Sequence, residues 1–165
     1  MTVKNNKRTV FGWAMYDWAN SAYSTTTVGA LMPAYFAAIV VGEDGWNFGG
    51  TNYLADEIWG YATGIVIFIF FLIMPVFGAM ADMSGSKMKF LRIFAYGGSV
   101  FATVMFFLTA GDVWLTLFLY LGAQFGFVGS LVFNDGLLRD ITTEDTIDQV
   151  STRAVSYTHL TLPTI

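Results

Sequence analysis

The chain is 165 residues long with a formal net charge of −4, and it is 55% hydrophobic, 18% aromatic and only 12% charged. Soluble domains carry about 25% charged residues, so this composition cannot cover a water-exposed surface and reads as a membrane protein. The absence of cysteine excludes disulfides, thiolate nucleophiles and cysteine-ligated zinc.

Taken in chain order, residues 1–9 form a short basic N terminus with Lys4, Lys7 and Arg8. Four apolar spans follow, expected at about Phe11 to Val41, Leu54 to Ala81, Phe90 to Ala110 and Val113 to Leu138. Crossing ~30 Å of hydrocarbon takes ~20 helical residues, and each run is long enough or nearly so. Continuously apolar runs exclude transmembrane strands, which alternate over ~10 residues. The fold class is therefore all-α, a polytopic membrane helix bundle.

The first span is not a cleavable signal peptide, because Asp17 interrupts its apolar run and no small-x-small cleavage pattern follows. Gly29 and Pro33 lie inside it, which implies tilt or a kink. At ~100° per residue, Asp17, Asn20, Ser21, Ser24 and Thr27 fall in one arc of about 120°. Lipid offers no hydrogen-bond partners, so such a stripe must face protein or water. Nine residues separate Arg8 from Asp17, about 14 Å of rise, which puts Asp17 near the midplane if Arg8 is interfacial. A carboxylate there costs ~2.5–3.5 kcal/mol and calls for a partner, a proton or a wet cavity. Asp17, Asn20, Ser21 and Ser24 are therefore candidates for a substrate or proton pathway, the alternative for Asp17 being a tie to a neighbouring helix.

GEDGWNFGGTN links spans one and two, and Tyr53, Trp59 and Trp114 suit an outer aromatic belt. Gly60 and Gly64 in the second span have the spacing of a packing face. The hinge GAMADMSGSKMKFLR, Gly78 to Arg92, joins spans two and three, and Gly111-Asp112 joins three and four. In the fourth span Gly122, Gly126 and Gly129 let a neighbour approach closely. Gln124 near its centre either lines a cavity or bonds another helix. Asn134, Asp135 and Arg139 sit near its far end, where Asp135 and Arg139 are four apart and an ion pair between them is the default, with gating the other option.

Every basic residue falls on one side of a four-span topology: Lys4, Lys7 and Arg8 before the first span, Lys87, Lys89 and Arg92 in the hinge, Arg139 and Arg153 after the fourth. The opposite loops hold Glu43, Asp44, Asp56, Glu57 and Asp112 and no Lys or Arg. The positive-inside bias thus places the N terminus and the hinge in the cytoplasm.

The hinge resembles the signature loop between helices 2 and 3 of the major facilitator superfamily, G-x-x-x-D-x-x-G-[RK]-[RK]. Gly78, Asp82, Gly85 and Lys87 occupy the matching positions, while Met83 and Ser86 depart from the often basic pattern. YDWANSAYSTT in the first span and FNDGLLRDI at the end of the fourth are similar to the branch containing the fungal vacuolar amino-acid effluxers of autophagy and many bacterial permeases. The likeness covers most of Phe11 to Ser151. It implies spans one to four of a probable twelve, moving a small solute such as an amino acid by alternating access. A coupling proton would suit Asp17 itself, with sodium coupling or facilitated diffusion as the alternatives. The likeness also implies a gating role for the hinge, whose counterparts bridge the two halves of the transporter and help hold the outward-facing state. Residues 10–153 are then the first four helices, in a bacterial cytoplasmic membrane, and the missing C-terminal half is a partner.

After Arg153 the sequence turns to AVSYTHLTLPTI, too short and too polar to span. Residues 154–165 resemble translated adapter or vector read-through, and His159, the only histidine, is set aside with them. No G-x-S-x-G, H-E-x-x-H, Walker or G-x-G-x-x-G pattern occurs, so an enzyme, a cofactor, a metal site and nucleic-acid binding are not expected. The competing class is a complete four-helix membrane scaffold or assembly protein.

Overall fold

Long apolar sequence becomes helix in a bilayer because only a helix satisfies every backbone group within its own segment. The computed structural model describes residues 4–152, so Arg153, His159 and the 154–165 tail lie outside the described residues. Among the described residues four helices are long and apolar enough to cross a membrane: Lys7–Val41, Ala55–Met83, Lys87–Phe107 and Val113–Ile141.

Their ends run a few residues past the apolar boundaries, because polar residues extend a helix wherever a cap meets its free backbone groups. At the start of the first span, the Asn6 carboxamide accepts from Arg8 N at 3.0 Å and Thr9 N at 3.3 Å. The second helix continues to Ser84 and stops at Gly85, whose φ of 60° is left-handed. Ser86 N then bonds Ala81 O at 3.2 Å, a glycine-terminated C-cap that turns the chain straight into the third helix. That helix ends earlier than its apolar run, at Val104, with one tight turn over Met105–Phe107.

The irregularity expected in the first span takes the form of wider turns. Residues Tyr23–Leu31 and Phe36–Val41 are π-helical, Met32 N–H reaching Thr27 O and Gly42 N–H reaching Ala37 O. Pro33 lacks an N–H and crowds the carbonyl four residues back, and the chain absorbs this by widening rather than breaking.

The loop after the first span folds into a β-hairpin that the helix reading did not include. Strands β1 (Trp46–Phe48) and β2 (Thr51–Tyr53) pair antiparallel around Gly49-Gly50. Those glycines have φ of 62° and 86°, the positive values a two-residue hairpin turn requires. Trp114 packs edge-on against Trp46 and Phe48 at 5.2 and 5.6 Å, so Tyr53 and Trp114 share this end of the bundle. Trp59 packs at the same end, against the same buried cluster as Trp46 and Tyr53. It turns inward, 4.3 Å from Tyr120 and 5.1 Å from Phe36, because its position on the second helix faces the bundle.

The fourth span is the hub on which the other three pack, and its tightest partner is the third. A Cβ built on Gly98 would lie 3.0 Å from Gly126 Cα and 3.2 Å from Ala123 O, while Phe94 and Phe101 rings lie against Gly129 and Gly122. Close backbone approach of this kind supplies dispersion contact where lipid gives no hydrophobic drive. Gly60 and Gly64, expected to pack likewise, meet nothing within 4 Å and lie on the outward face of the second span. Phe70, Phe94, Phe125 and Phe133 tie the second, third and fourth spans, with ring centroids 4.8 to 5.6 Å apart. Large apolar side chains such as Phe71, 76% exposed, and Phe106, 85% exposed, face outward as lipid contact demands.

Gly98→Val is accordingly expected to destabilise the bundle by about 1–3 kcal/mol, because the added methyls meet backbone that cannot yield locally. Thermal unfolding in detergent checks this, and an unchanged midpoint would contradict the packing.

Candidate functional site

The hinge is built by two helix ends brought together by the Gly85 turn. Lys87 opens the third helix, and its ammonium lies 2.9 Å from Asp82 Oδ1 at the end of the second and 3.0 Å from Asp140 Oδ2 at the end of the fourth. It also donates to Gly136 O at 3.3 Å. One cation thus clasps three spans. Its side chain is only 18% exposed, while the Asp82 and Asp140 side chains are 66% and 48% exposed.

Gly85 makes the turn, but Gly78 meets nothing within 4 Å, so no close approach is centred there. Asp140 is the residue that sequence reasoning missed. Asp135 and Arg139, the pair expected, form no ion pair among the described residues, and both are exposed. An exposed i,i+4 pair gains only ~0.3–0.5 kcal/mol against the entropy of ordering two side chains. A half-buried Lys87 gains more from a neighbouring carboxylate, and Asp140 is the one level with it. FNDGLLRDI contained the signal, since it ends where the fourth span returns to the hinge.

On the same side, Asn5 fastens the start of the chain to the end of the fourth span. Asn5 N donates to Ile141 O at 2.7 Å, its amide donates to Thr143 Oγ1 at 3.0 Å, and Thr146 Oγ1 donates to Asn5 Oδ1 at 2.8 Å. Deeper in, Trp13 Nε1 donates to Asn134 O at 2.8 Å and pins the first span on the fourth.

Counted at ~100° per residue from that contact, Asp17 and Ser21 fall on one flank of the seam between these spans, and Gln124 and Asp135 on the same flank of the fourth. Asp135 lies within electrostatic reach of Asp17. Among the described residues no Lys or Arg pairs with Asp17. The Gln124 Oε1 is buried without a hydrogen-bond partner among the described residues.

The stripe is not one face throughout. Asn20 lies on the other flank, lining a cavity of about 300 Å³ with Tyr16, Tyr23, Ser99 and Ser130. The Ser21 and Thr25 hydroxyls are spent on the helix backbone, at Asp17 O (3.1 Å) and Ser21 O (2.9 Å). From Tyr23 onward the π-helical turns change the angular step, so Ser24 and Thr27 no longer follow the 100° count.

At the opposite end, Asp112 accepts from Thr109 Oγ1 at 2.6 Å and Thr109 N at 3.0 Å. Those two donors, the hydroxyl first, hold its carboxyl below the usual range. Among the described residues no group of three or more His, Asp or Glu side chains is placed to hold a metal ion.

A family model described as "Vacuole effluxer Atg22 like" matches residues 5–157. The "Uncharacterized MFS-type transporter YxiO" of Bacillus subtilis (strain 168) is 35% identical over 156 residues, covering 93% of this chain and 35% of the relative. The chain therefore spans about a third of the length of the curated relative it matches. No solved structure matches it. With four membrane-spanning helices and a family match over nearly its whole length, the chain belongs to the Atg22-like vacuole effluxer family of the major facilitator superfamily.

Proposed function

We propose that this chain forms the first four spans of a twelve-helix secondary transporter that moves a small solute, amino acids first among the candidates, by alternating access. In such proteins six-helix halves rock about a site near the bilayer midplane. The observation that carries the reading is the Lys87 clasp. An ion pair joining three helix ends at one face of the bundle favours the conformation in which those ends are together and opposes the one in which they part.

On the flank away from the third span, Asp17 and Ser21 face the path with Gln124, and Asp17 is the group that exchanges a coupling proton. Asn20, on the other flank, supports the wall. Gly78, Asp82, Gly85 and Lys87 form the gating hinge, to which Asp140 is added. Asn134, Asp135 and Arg139 lie at the same mouth. The N terminus and hinge face the cytoplasm, by the one-sided placement of Lys and Arg, and a bacterial cytoplasmic membrane is the setting.

Orientation is tested with single cysteines, for which this chain has no native background. A cysteine replacing Asn47 in the hairpin should react with an impermeant thiol reagent added outside cells, and one replacing Glu144 should react only after permeabilisation. The reverse pattern would overturn the orientation. Transport itself is tested by saturable uptake into liposomes carrying the full-length protein, and the absence of any saturable flux would overturn the function.

A further inference from the structure

The connection between the first and second spans carries no charge from Gly45 to Ala55, although Glu43 and Asp44 precede it and Asp56 and Glu57 follow it. Its hairpin sets Trp46 opposite Tyr53, Phe48 opposite Thr51 and Asn47 opposite Asn52. Successive side chains of a strand point to opposite faces. Trp46, Phe48, Thr51 and Tyr53 therefore share one face and the two asparagines the other, where Asn52 Nδ2 donates to Asp44 O at 2.7 Å.

The aromatic face meets the bundle at one end and is open at the other. Trp46 and Tyr53 pack on the buried cluster that holds Phe36, Val40 and Val113. Phe48, beside the turn, stacks on Trp46 at 5.2 Å and meets Trp114 edge-on at 5.6 Å, yet Phe48 and Trp114 are still 53% and 61% exposed. Trp114 lies in the first turn of the fourth helix, and Phe118, one turn further along the same face, is 63% exposed. Phe48, Trp114 and Phe118 thus make one outward stripe that climbs from the flank of the fourth span onto the hairpin.

From this stripe we infer that the hairpin docks on the bilayer surface, laying Phe48 and Trp114 into the headgroup layer of the leaflet opposite the hinge. A lipid–water boundary meets both of its faces at once, the rings toward the acyl chains and the asparagines toward water, and tryptophan settles at that depth because its ring is apolar and its N–H is polar. The backbone bounds the depth. A two-stranded hairpin has two open edges, and their unpaired N–H and C=O groups do not enter hydrocarbon. Such a hairpin is marginal alone in water, so the bundle beneath it and the lipid beside it supply its platform. The occupant is the lipid surface continuous with the lipid on Phe118, not another chain. The inference rests on the membrane-spanning helices and stands apart from the transport reading, since a non-transporting member of the family would dock its hairpin in the same way.

The test uses the full-length protein in liposomes of phosphatidylcholine and phosphatidylglycerol, with one nitroxide-labelled cysteine in an otherwise cysteine-free background. Labels on Thr51→Cys, on the aromatic face, and Asn47→Cys, on the amide face, are read by collision with oxygen, which concentrates in lipid, and with nickel-EDDA, which stays in water. Phe48→Cys serves as a second position on the aromatic face should Thr51→Cys express poorly. The expected result is a several-fold excess of oxygen over nickel collisions at Thr51, the reverse at Asn47, and a several-fold rise in nickel access at Thr51 when Phe48→Asp is added. Equal readings on the two faces, or a label on the aromatic face that protein shields from both reagents, would overturn the docking. An unchanged Thr51 reading in Phe48→Asp would overturn the role given to the ring.

Discussion

Asp17→Asn in the full-length protein is expected to abolish proton-coupled uptake while leaving expression and membrane insertion intact. The side chain lies on the seam of the first and fourth spans with no Lys or Arg partner among the described residues, within electrostatic reach of Asp135. A charge in the middle of a span costs ~2.5–3.5 kcal/mol, so replacing it by a neutral amide of equal size makes insertion easier. A purely structural Asp17 would then tolerate asparagine, which keeps a hydrogen-bonding head group. A carrier of protons would not, because an amide does not cycle between charge states. Uptake measured against external pH separates the two, and an Asp17→Asn protein with wild-type rate and wild-type pH profile would remove the coupling role.

Lys87→Met is expected to change transport through the conformational equilibrium rather than through folding. Methionine keeps much of the apolar stem of lysine and loses the charge that joins Asp82, Asp140 and Gly136 O. Both carboxylates are exposed enough to be solvated when released, so the cost to stability is small. If the two contacts together favour the clasped state by about 1 kcal/mol, their loss moves the ratio of states about fivefold. The expected result is a several-fold change in turnover with little change in the melting temperature in detergent. Asp140→Asn should move turnover in the same direction by a smaller amount, since it breaks one of the two pairs. A Lys87→Met protein with unchanged turnover would contradict the gating role.

Most of the scaffold was legible in the sequence because bilayer thickness fixes helix length and lipid forbids unpaired backbone. The four spans follow from those constraints, and the close face at Gly122, Gly126 and Gly129 follows from small-residue spacing on one of them. What escaped the reading depends on three-dimensional placement. Trp59 was read as a belt residue because interfacial aromatics are common, yet its helix face decides that it packs on Phe36 and Tyr120. The hairpin lay in plain sight, as Gly49-Gly50 between two aromatic-rich triplets is a two-residue turn signal, but a loop between spans was read only for its length. Gly60 and Gly64 carried the same spacing as Gly122 and Gly126 and met no neighbour, since spacing alone does not say which way a face points.

At the site, the hinge residues were legible from their motif, and the missing partner was a matter of distance. Arg139 and Asp135 lie on one helix, where sequence separation predicts proximity. Lys87 and Asp140 are brought together only when the second, third and fourth spans end at the same level. The polar stripe was divided for a related reason: Asn20 is one helical step from Ser21, yet the fourth span packs between the directions they face, so Asn20 lines the cavity beside the third span.

The central claim is tested most directly by purifying the full-length protein, reconstituting it in liposomes and measuring uptake of radiolabelled neutral amino acids with and without an imposed pH gradient, beside liposomes carrying Asp17→Asn. The account predicts saturable uptake that the gradient drives in the wild type and fails to drive in the variant. Equal, non-saturable flux in both preparations and in empty liposomes would contradict it.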